Sequence, residues 1–240
     1  MKKKFIASAI IMAVSLALFI VLAAIVYNCE CNPLRSFRQT PSVDASVRDY
    51  FYNTRGEKYG FTFWICRIFT EFGGVYFGVI LAIVALLYTR FDYRFVVFVL
   101  GLGTELVLNF IFKHSFDRLR PFTEAERWMV DETASFPSGH SSLTGYVWTI
   151  ITYFIWISDE KKLTKIIVTC VSAFFFVLVP FTRLVLEMHY FTDVVAGLSL
   201  GVFCAGGTIL VATLCEKYNI LQKPLIKFKK KNKQVEESNE

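Results

Sequence analysis

Long apolar segments alternate with short polar ones along most of this 240-residue chain. The apolar residues form continuous runs rather than the one-sided stripe of a helix at the surface of a soluble protein. Because the hydrocarbon core of a bilayer is about 30 Å thick, a helix that crosses it needs about 20 apolar residues. Six segments reach or approach that length and are predicted to span a membrane: 5–27, 73–89, 95–112, 142–157, 166–181 and 194–214.

Composition supports the membrane class. Apolar residues make up 55% of the chain and charged residues 19%, whereas a soluble domain carries about 25% charged residues. The net charge of +6 owes much to a lysine-rich C-terminal segment. Next to a membrane span, such a tail (215–240) is predicted to be a cytoplasmic segment attracted to anionic lipid headgroups. A nucleic-acid partner is not expected.

The N-terminal segment is predicted to be a retained membrane helix. Its apolar run is longer than the 7–15 residues of a signal-peptide core, and no small-x-small cleavage site follows. Lysine and arginine collect in cytoplasmic loops. With both termini inside, 15 of the 26 lysine and arginine residues lie on the cytoplasmic side. Both termini are therefore predicted to be cytoplasmic, and the single membrane domain (1–240) has a long outer loop at 28–72.

The outer loop has two features. Ser42 to Tyr52 has the pattern of a short amphipathic helix that lies at the membrane interface. Cys29, Cys31 and Cys66 fall in or beside this loop, where an oxidising exterior would permit one disulfide bridge from Cys66 to either of the other two. The sequence does not choose between the two.

Three short polar motifs stand in order along the second half of the chain, and the predicted orientation places all of them on the outer face. They are Lys113-x6-Arg120-Pro121, Pro137-Ser138-Gly139-His140 and Arg183-x5-His189-x3-Asp193. Together they supply three cations, a glycine-containing turn, two imidazoles and one carboxylate. Each motif alone has a simpler interpretation, such as an interfacial cation, an ordinary turn with a helix cap, or a structural histidine.

The chemistry of these residues points to a phosphate ester. Two arginine forks and a lysine neutralise phosphate oxygens, and Ser138 with the Gly139 amide lies at a predicted helix N-terminus, which binds anions. His189 and Asp193 are spaced i, i+4 and therefore share a helix face. A carboxylate there would accept the Nδ1 proton and leave the Nε2 lone pair free to attack. Ser138 is the alternative nucleophile.

The three motifs resemble those of the type 2 phosphatidic acid phosphatase family, whose members read K-x6-RP, PSGH and SR-x5-H-x3-D. The resemblance implies an all-α membrane protein, a six-transmembrane-helix bundle, with its active site at the outer boundary of the cell membrane. It also implies a mechanism without metal or other cofactor. His189 would attack phosphorus, Asp193 would orient it, and His140 would protonate the leaving oxygen and then activate water. The predicted phosphate-binding residues are Lys113, Arg120, Ser138, Gly139 and Arg183.

The motifs depart from the family pattern at three positions. Thr182 replaces the usual serine and keeps its hydroxyl, and Leu119 stands where many members have proline. Glu187 occupies a position that is commonly glycine. A carboxylate two residues before the nucleophile would repel phosphate, so Glu187 is expected to point away from the site or to pair with a cation.

The short chain and its lysine-rich ends are typical of bacterial members of this family. The resemblance implies that bacterial members often recycle a polyprenyl carrier, so undecaprenyl diphosphate is the first choice of substrate. Phosphatidic acid and phosphatidylglycerophosphate are the alternatives. A non-enzymatic membrane protein that binds or transports lipids is the alternative from another class. A vanadium haloperoxidase shares the motif chemistry, but such enzymes are larger and soluble. The sequence makes no prediction of the oligomeric state.

Overall fold

The computed structural model describes residues 2–31, 39–54, 60–89, 92–121 and 134–220. This part of the chain forms helices and contains no strand. They are α1 (Lys2–Val26), α2 (Ser42–Thr54), α3 (Phe61–Thr70), α4 (Val75–Thr89), α5 (Tyr93–Phe116), α6 (Gly139–Ile157), α7 (Lys162–Val185) and α8 (Phe191–Tyr218). Most of the predicted basic tail, from 221 onward, lies outside the described residues.

Each of the six predicted spans coincides with a helix. Four helices, in α1, α5, α7 and α8, are long and apolar enough to cross a membrane, and α3 with α4 makes a fifth span if this pair, bent by 44°, is counted as one. The sixth predicted span, α6, is not among them, and Ser141, Ser142 and Thr144 lie in its first two turns. The described helices thus support a multi-pass membrane protein with four or five apolar spans.

The described parts of segment 28–72, which was predicted to be a long outer loop, contain two helices. Helix α2 confirms the short helix expected from residue 42, whereas α3 was not predicted. Helix α3 was missed because its apolar residues precede a turn at Glu71–Gly73 that breaks the run. All six cysteines are free thiols, so the structure does not contain the disulfide bridge that the sequence would permit at Cys66.

Helix α8 is the centre of the bundle. It packs against α1, α5 and α6, and most of its residues are buried, while α1 and α7 keep exposed apolar faces. The core between α6 and α8 contains Leu143, Tyr146 and Leu200. The Tyr146 hydroxyl donates to the Phe98 carbonyl oxygen (2.6 Å), so this buried polar group is paired with α5.

Glycines let α6 and α8 approach until their backbones touch. A Cβ atom on Gly201 would lie 1.9 Å from the Ser142 carbonyl oxygen, and one on Gly197 would lie 2.4 Å from the Ser138 carbonyl oxygen. Small residues four apart allow this type of close packing between membrane helices. The contact brings the N-terminal ends of α6 and α8 together, and these ends carry two of the three motifs.

The close approach predicts a large effect of one added side chain. We expect Gly201→Val to prevent assembly of the bundle, because its Cβ would overlap backbone atoms that cannot move independently. Gly103→Ala is the matched control: no atom lies within 4 Å of its added Cβ, and alanine favours helix by about 1 kcal/mol. Thermal unfolding in detergent checks both. A stable Gly201→Val protein would contradict this packing.

Candidate active site

The Pro137-Ser138-Gly139-His140 motif forms the beginning of α6. Ser138 is the N-cap residue, and its hydroxyl oxygen accepts hydrogen bonds from the Ser141 amide (3.4 Å) and the Ser141 hydroxyl (3.0 Å). The Ser138 amide donates to the Asp193 carbonyl oxygen (3.0 Å). The motif is therefore fixed directly to the first turn of α8, and the amides of a helix N-terminus face the site.

His189 lies in the short connection between α7 and α8 and is buried. Its Nδ1 is 2.9 Å from the Ser135 carbonyl oxygen and 3.3 Å from the Ser135 hydroxyl. Nδ1 therefore carries the proton and donates to the carbonyl oxygen. Arg120 Nη1 donates to Nε2 (3.2 Å) and to the Met188 carbonyl oxygen (3.0 Å). The Nε2 lone pair thus points toward an arginine.

Asp193 orients this histidine less directly than the i, i+4 spacing predicts. Its Oδ2 is 3.8 Å from His189 Nδ1, which is too long for a hydrogen bond. The Ser135 hydroxyl donates to that oxygen (2.5 Å), and the Tyr190 amide donates to it as well (2.9 Å). Ser135 therefore lies between the two side chains, and its hydroxyl contacts both the Asp193 carboxylate and the His189 imidazole.

The other carboxylate oxygen of Asp193 binds Arg118, whose side chain is completely buried. Arg118 Nη1 donates to Asp193 Oδ1 (2.5 Å), and its Nη2 donates to Asp44 Oδ2 (2.8 Å) and Glu30 Oε1 (2.8 Å). Asp44, on α2, also accepts from the Thr192 amide (2.8 Å). We call Arg118, Glu30, Asp44, Thr192 and Asp193 the Arg118 network. It connects helix α2 to the residues around His189.

The remaining predicted cations also lie in this region. Lys113, near the end of α5, donates from Nζ to the Ala134 carbonyl oxygen (2.5 Å). Arg183, in the last turn of α7, is buried and donates from Nη1 to the Thr70 hydroxyl (2.9 Å). Its Nε has no hydrogen-bond partner among the described residues. A buried guanidinium with an unused donor is ready to bind an anion.

Burial and nearby positive charges lower the pKa of His189. Burial, followed by the charges of Arg120, Arg183 and Lys113, lowers the pKa of His189 well below its usual value. The imidazole is therefore neutral near pH 7 and keeps its lone pair. His140 and Gly139 share a cavity with Lys113, so the structure also brings the second histidine to the cationic region.

Glu187 has an unusual backbone conformation. Its φ angle is 52°, in the left-handed region that glycine adopts without strain. This conformation explains why glycine is suitable at this position. The Glu187 side chain lines a small cavity together with Arg48 and His189, so it faces the surroundings of the site.

The sequence matches the PAP2 superfamily over residues 92–216, which is about half of the chain and contains all three motifs. The chain belongs to the PAP2 superfamily. This confirms the resemblance to the type 2 phosphatidic acid phosphatases. Among the described residues of this PAP2 protein, no three His, Cys, Asp or Glu side chains are grouped in a way that could hold a metal ion.

One relative and two solved structures are similar to this PAP2 protein. Phosphatidylglycerophosphatase B of Bacillus subtilis (strain 168) is 36% identical over 104 residues, which cover 41% of this chain and about half (48%) of the relative. The crystal structure of a transmembrane PAP2-type phosphatidylglycerolphosphate phosphatase from Bacillus subtilis covers 86% of this chain and 96% of its own, with 24% identity and a TM-score of 0.69. The crystal structure of Aquifex aeolicus LpxE covers 73% and 98%, with 17% identity and a TM-score of 0.54. These two similarities show that this chain has the same fold as both crystal structures.

Two parts of the site of this PAP2 protein were missed from the sequence. Ser135 lies 54 positions before His189 and belongs to no motif, so no local signal indicates it. Arg118 lies inside the first motif, but it was counted only as a positive charge of an outer segment. Two unassigned acidic residues of the predicted outer loop 28–72, Asp44 and Glu30, were the available signal, because a buried arginine needs carboxylate partners.

The lowered pKa of His189 can be measured. We expect the imidazole resonances of His189 to remain those of the neutral ring at pH 6, below the ordinary pKa of about 6.5, because burial and nearby cations disfavour the imidazolium. NMR of protein labelled with ¹³C-histidine, assigned with His189→Gln, measures this. Arg120→Gln removes one positive charge and should raise the pKa. A midpoint at or above 6.5 in the parent protein would contradict this electrostatic account.

Proposed function

We propose that this PAP2 protein hydrolyses the phosphate ester of a membrane lipid through a phosphohistidine intermediate. The observation that carries the proposal is the contact of Arg120 with His189 Nε2 at 3.2 Å. A neutral imidazole with its lone pair directed at an arginine is a nucleophile next to an anion-binding group. A phosphate oxygen would take the place of Nε2 on the guanidinium, and phosphorus would then lie within reach of the lone pair.

The proposed reaction has two balanced steps. In the first, His189 Nε2 forms a bond to phosphorus while the bond from phosphorus to the ester oxygen breaks, and His140 gives its proton to the leaving oxygen. In the second, His140 removes a proton from water, the hydroxide attacks phosphorus, and the bond to Nε2 breaks to release inorganic phosphate.

The protein supplies the charge stabilisation in this proposal. Lys113, Arg120 and Arg183 neutralise the equatorial oxygens, and Ser138 and the Gly139 amide add donors at the start of α6. Asp193 holds the Nδ1 side of His189 through Ser135. The proposed reaction therefore uses no metal ion.

The proposed substrate is a glycerophospholipid phosphate of the phosphatidylglycerophosphate type. The similarity to phosphatidylglycerophosphatase B favours it over undecaprenyl diphosphate, the first choice from the sequence. Phosphatidic acid is the second candidate.

The proposal is tested by phosphate release from purified protein in detergent with excess EDTA. The substrates are phosphatidylglycerophosphate, phosphatidic acid and undecaprenyl diphosphate, compared by kcat/KM. We expect phosphatidylglycerophosphate to be preferred and EDTA to have no effect. Activity that requires added magnesium would overturn the metal-free mechanism. Lipid binding without phosphate release from any substrate would favour the non-enzymatic alternative.

The orientation is also part of the proposal, with the active site outside and both termini in the cytoplasm. A membrane-impermeant thiol reagent should label Arg127→Cys in intact cells and should label Lys231→Cys only after lysis, each compared with the parent protein. Both positions lie outside the described residues. Labelling of Lys231→Cys but not of Arg127→Cys in intact cells would reverse the orientation.

A further inference from the structure

A second part of the site extends from the catalytic residues toward the side of the bundle. A cavity of about 220 Å³ lies between the beginning of α4, the second half of α5 and the beginning of α6. Lys113, Gly139 and His140 form one of its walls. Val75 and Phe110, at another wall, are 54% and 61% exposed on the apolar surface of the bundle. The cavity thus joins the phosphate region to the lipid-facing side.

Helix α5 places a row of polar side chains along this cavity. Glu105, Asn109 and Lys113 are spaced by four residues, so they lie on one helix face. With a rise of about 1.5 Å per residue, each is about 6 Å from the next along the axis. Asn109 is next to the phosphate region: a Cβ on Gly139 would lie 3.5 Å from Asn109 Oδ1 and 3.9 Å from Lys113 Cε.

The two deeper polar residues are buried and carry atoms that lack a hydrogen-bond partner among the described residues. Glu105 is 1% exposed and Asn109 is 6% exposed. Within the described part of the chain, neither carboxyl oxygen of Glu105 and no donor on Asn109 Nδ2 has a hydrogen-bond partner. The Ser142 hydroxyl is a neighbour of Glu105 and is also without a partner that meets hydrogen-bond geometry. Unpaired buried polar groups are costly and rare, and acidic residues inside membrane helices mark functional sites.

We propose that this cavity holds the leaving alcohol and that Asn109 and Glu105 bind a hydroxyl group on it. A hydroxyl both accepts and donates, so it pairs with the unused Asn109 Nδ2 donor and with a Glu105 oxygen. Lys113 would contact the phosphate, and Asn109 lies one helical turn, about 6 Å, further along the cavity. The hydroxyl that Asn109 binds would therefore be on the carbon next to the phosphorylated CH₂ group. This inference rests on the proposed function and narrows its substrate class to phosphate esters of vicinal diols.

The composition of the cavity disfavours the other candidate substrates. A polyprenyl chain offers no polar group and would leave Asn109 and Glu105 unpaired. A diphosphate needs a second cationic subsite, and among the residues lining the cavity Lys113 is the sole lysine or arginine. A glycerol unit with a free hydroxyl next to the phosphorylated carbon satisfies both polar side chains.

A matched pair of substrates tests the inference. One is a 1-acyl-glycerol 3-phosphate, which has the free 2-hydroxyl, and the other is the same lipid without that hydroxyl, a 1-acyl-propanediol 3-phosphate. We expect the parent protein to prefer the hydroxylated lipid by about tenfold or more in kcat/KM, since the deoxy lipid leaves buried polar groups unpaired. Glu105→Leu and Asn109→Leu should each reduce that ratio to about one, and Glu105→Gln, which keeps an acceptor oxygen, should retain part of it.

The control is Thr104→Val, which removes a hydroxyl from the same helix at an exposed position bonded to the Leu100 carbonyl oxygen. This variant should keep the parent ratio. Equal hydrolysis of the two lipids by the parent protein, or an unchanged ratio in both leucine variants, would overturn the inference and leave the proposed function intact. Absence of phosphate release from both lipids and from phosphatidylglycerophosphate would overturn the proposed function as well. Thermal unfolding of each variant identifies a ratio changed by misfolding.

Discussion

His189→Ala is expected to abolish turnover, with a loss in kcat on the order of 10⁴-fold or more. The substitution removes the nitrogen that we propose bonds to phosphorus, while the proposed phosphate-binding residues Arg120, Arg183 and Lys113 remain. Lipid phosphate should therefore still bind. Initial rates and equilibrium binding of a labelled lipid phosphate measure the two effects separately.

Alanine variants of the other two histidines, His140 and His114, are compared with His189→Ala. His140→Ala removes the proposed proton donor, and general acid catalysis contributes about 10²–10⁴-fold. The defect of His140→Ala should be smaller with p-nitrophenyl phosphate, because that leaving group needs little protonation. His114→Ala is the control, since His114 is exposed on α5 and its ring bonds to the local Phe110 carbonyl oxygen. If His189→Ala stays active and Ser138→Ala is inactive, Ser138 is the nucleophile.

Arg118→Leu is expected to destabilise the fold by about 3–5 kcal/mol, because it leaves buried carboxylates without their positive partner. The Arg118 side chain is completely buried between Glu30, Asp44 and Asp193. Arg118→Lys keeps the charge but loses the fork that binds several carboxylate oxygens at once, so it should recover only part of the loss. Thermal unfolding in detergent measures both variants.

The matched control is an exposed ion pair. Arg67 Nη1 and Glu71 Oε1 are 3.6 Å apart, and about half of each side chain is exposed. Arg67→Leu should therefore change stability by no more than about 1 kcal/mol. A double variant, Arg118→Leu with Asp44→Asn, should lose less than the sum of the two single changes because the residues are in contact. Full additivity, or a stable Arg118→Leu protein, would contradict the structural role of the Arg118 network.

The sequence predicts the helices well because the membrane restricts them so strongly. An apolar run of sufficient length has to form a helix in a bilayer, and all six predicted segments did so. The errors occurred where this restriction weakens. Helix α3 is short and bent against α4, and α6 carries polar residues because the other helices bury it.

The sequence predicts which of the motif residues lie near one another better than it predicts their hydrogen bonds. The structure brings Lys113, Arg120, His140, Arg183 and His189 to one region, as the order of the motifs suggested. It does not show the direct contact from Asp193 to His189 that the i, i+4 spacing predicted, because Ser135 lies between them. Contacts of this kind join residues far apart in sequence, and helical spacing cannot predict them.

Glu105 shows a different reason for a missed residue. It lies in the apolar run 95–112, where one acidic side chain does not change the prediction of a span. An acidic residue inside a membrane helix was nevertheless a signal for function. The i, i+4 spacing of Glu105, Asn109 and Lys113 can be read from the sequence. The cavity that these residues line cannot, because α4 and α6 form its other walls.

The most direct test of the account is chemical trapping of the phosphoenzyme. Protein mixed with ³²P-labelled lipid phosphate and quenched within milliseconds is digested, and the labelled peptide is identified. We predict a label at His189 that is stable in alkali and lost in acid, as a phosphorus–nitrogen bond requires, and no label in His189→Ala. An acid-stable label on Ser138 would contradict the proposed mechanism.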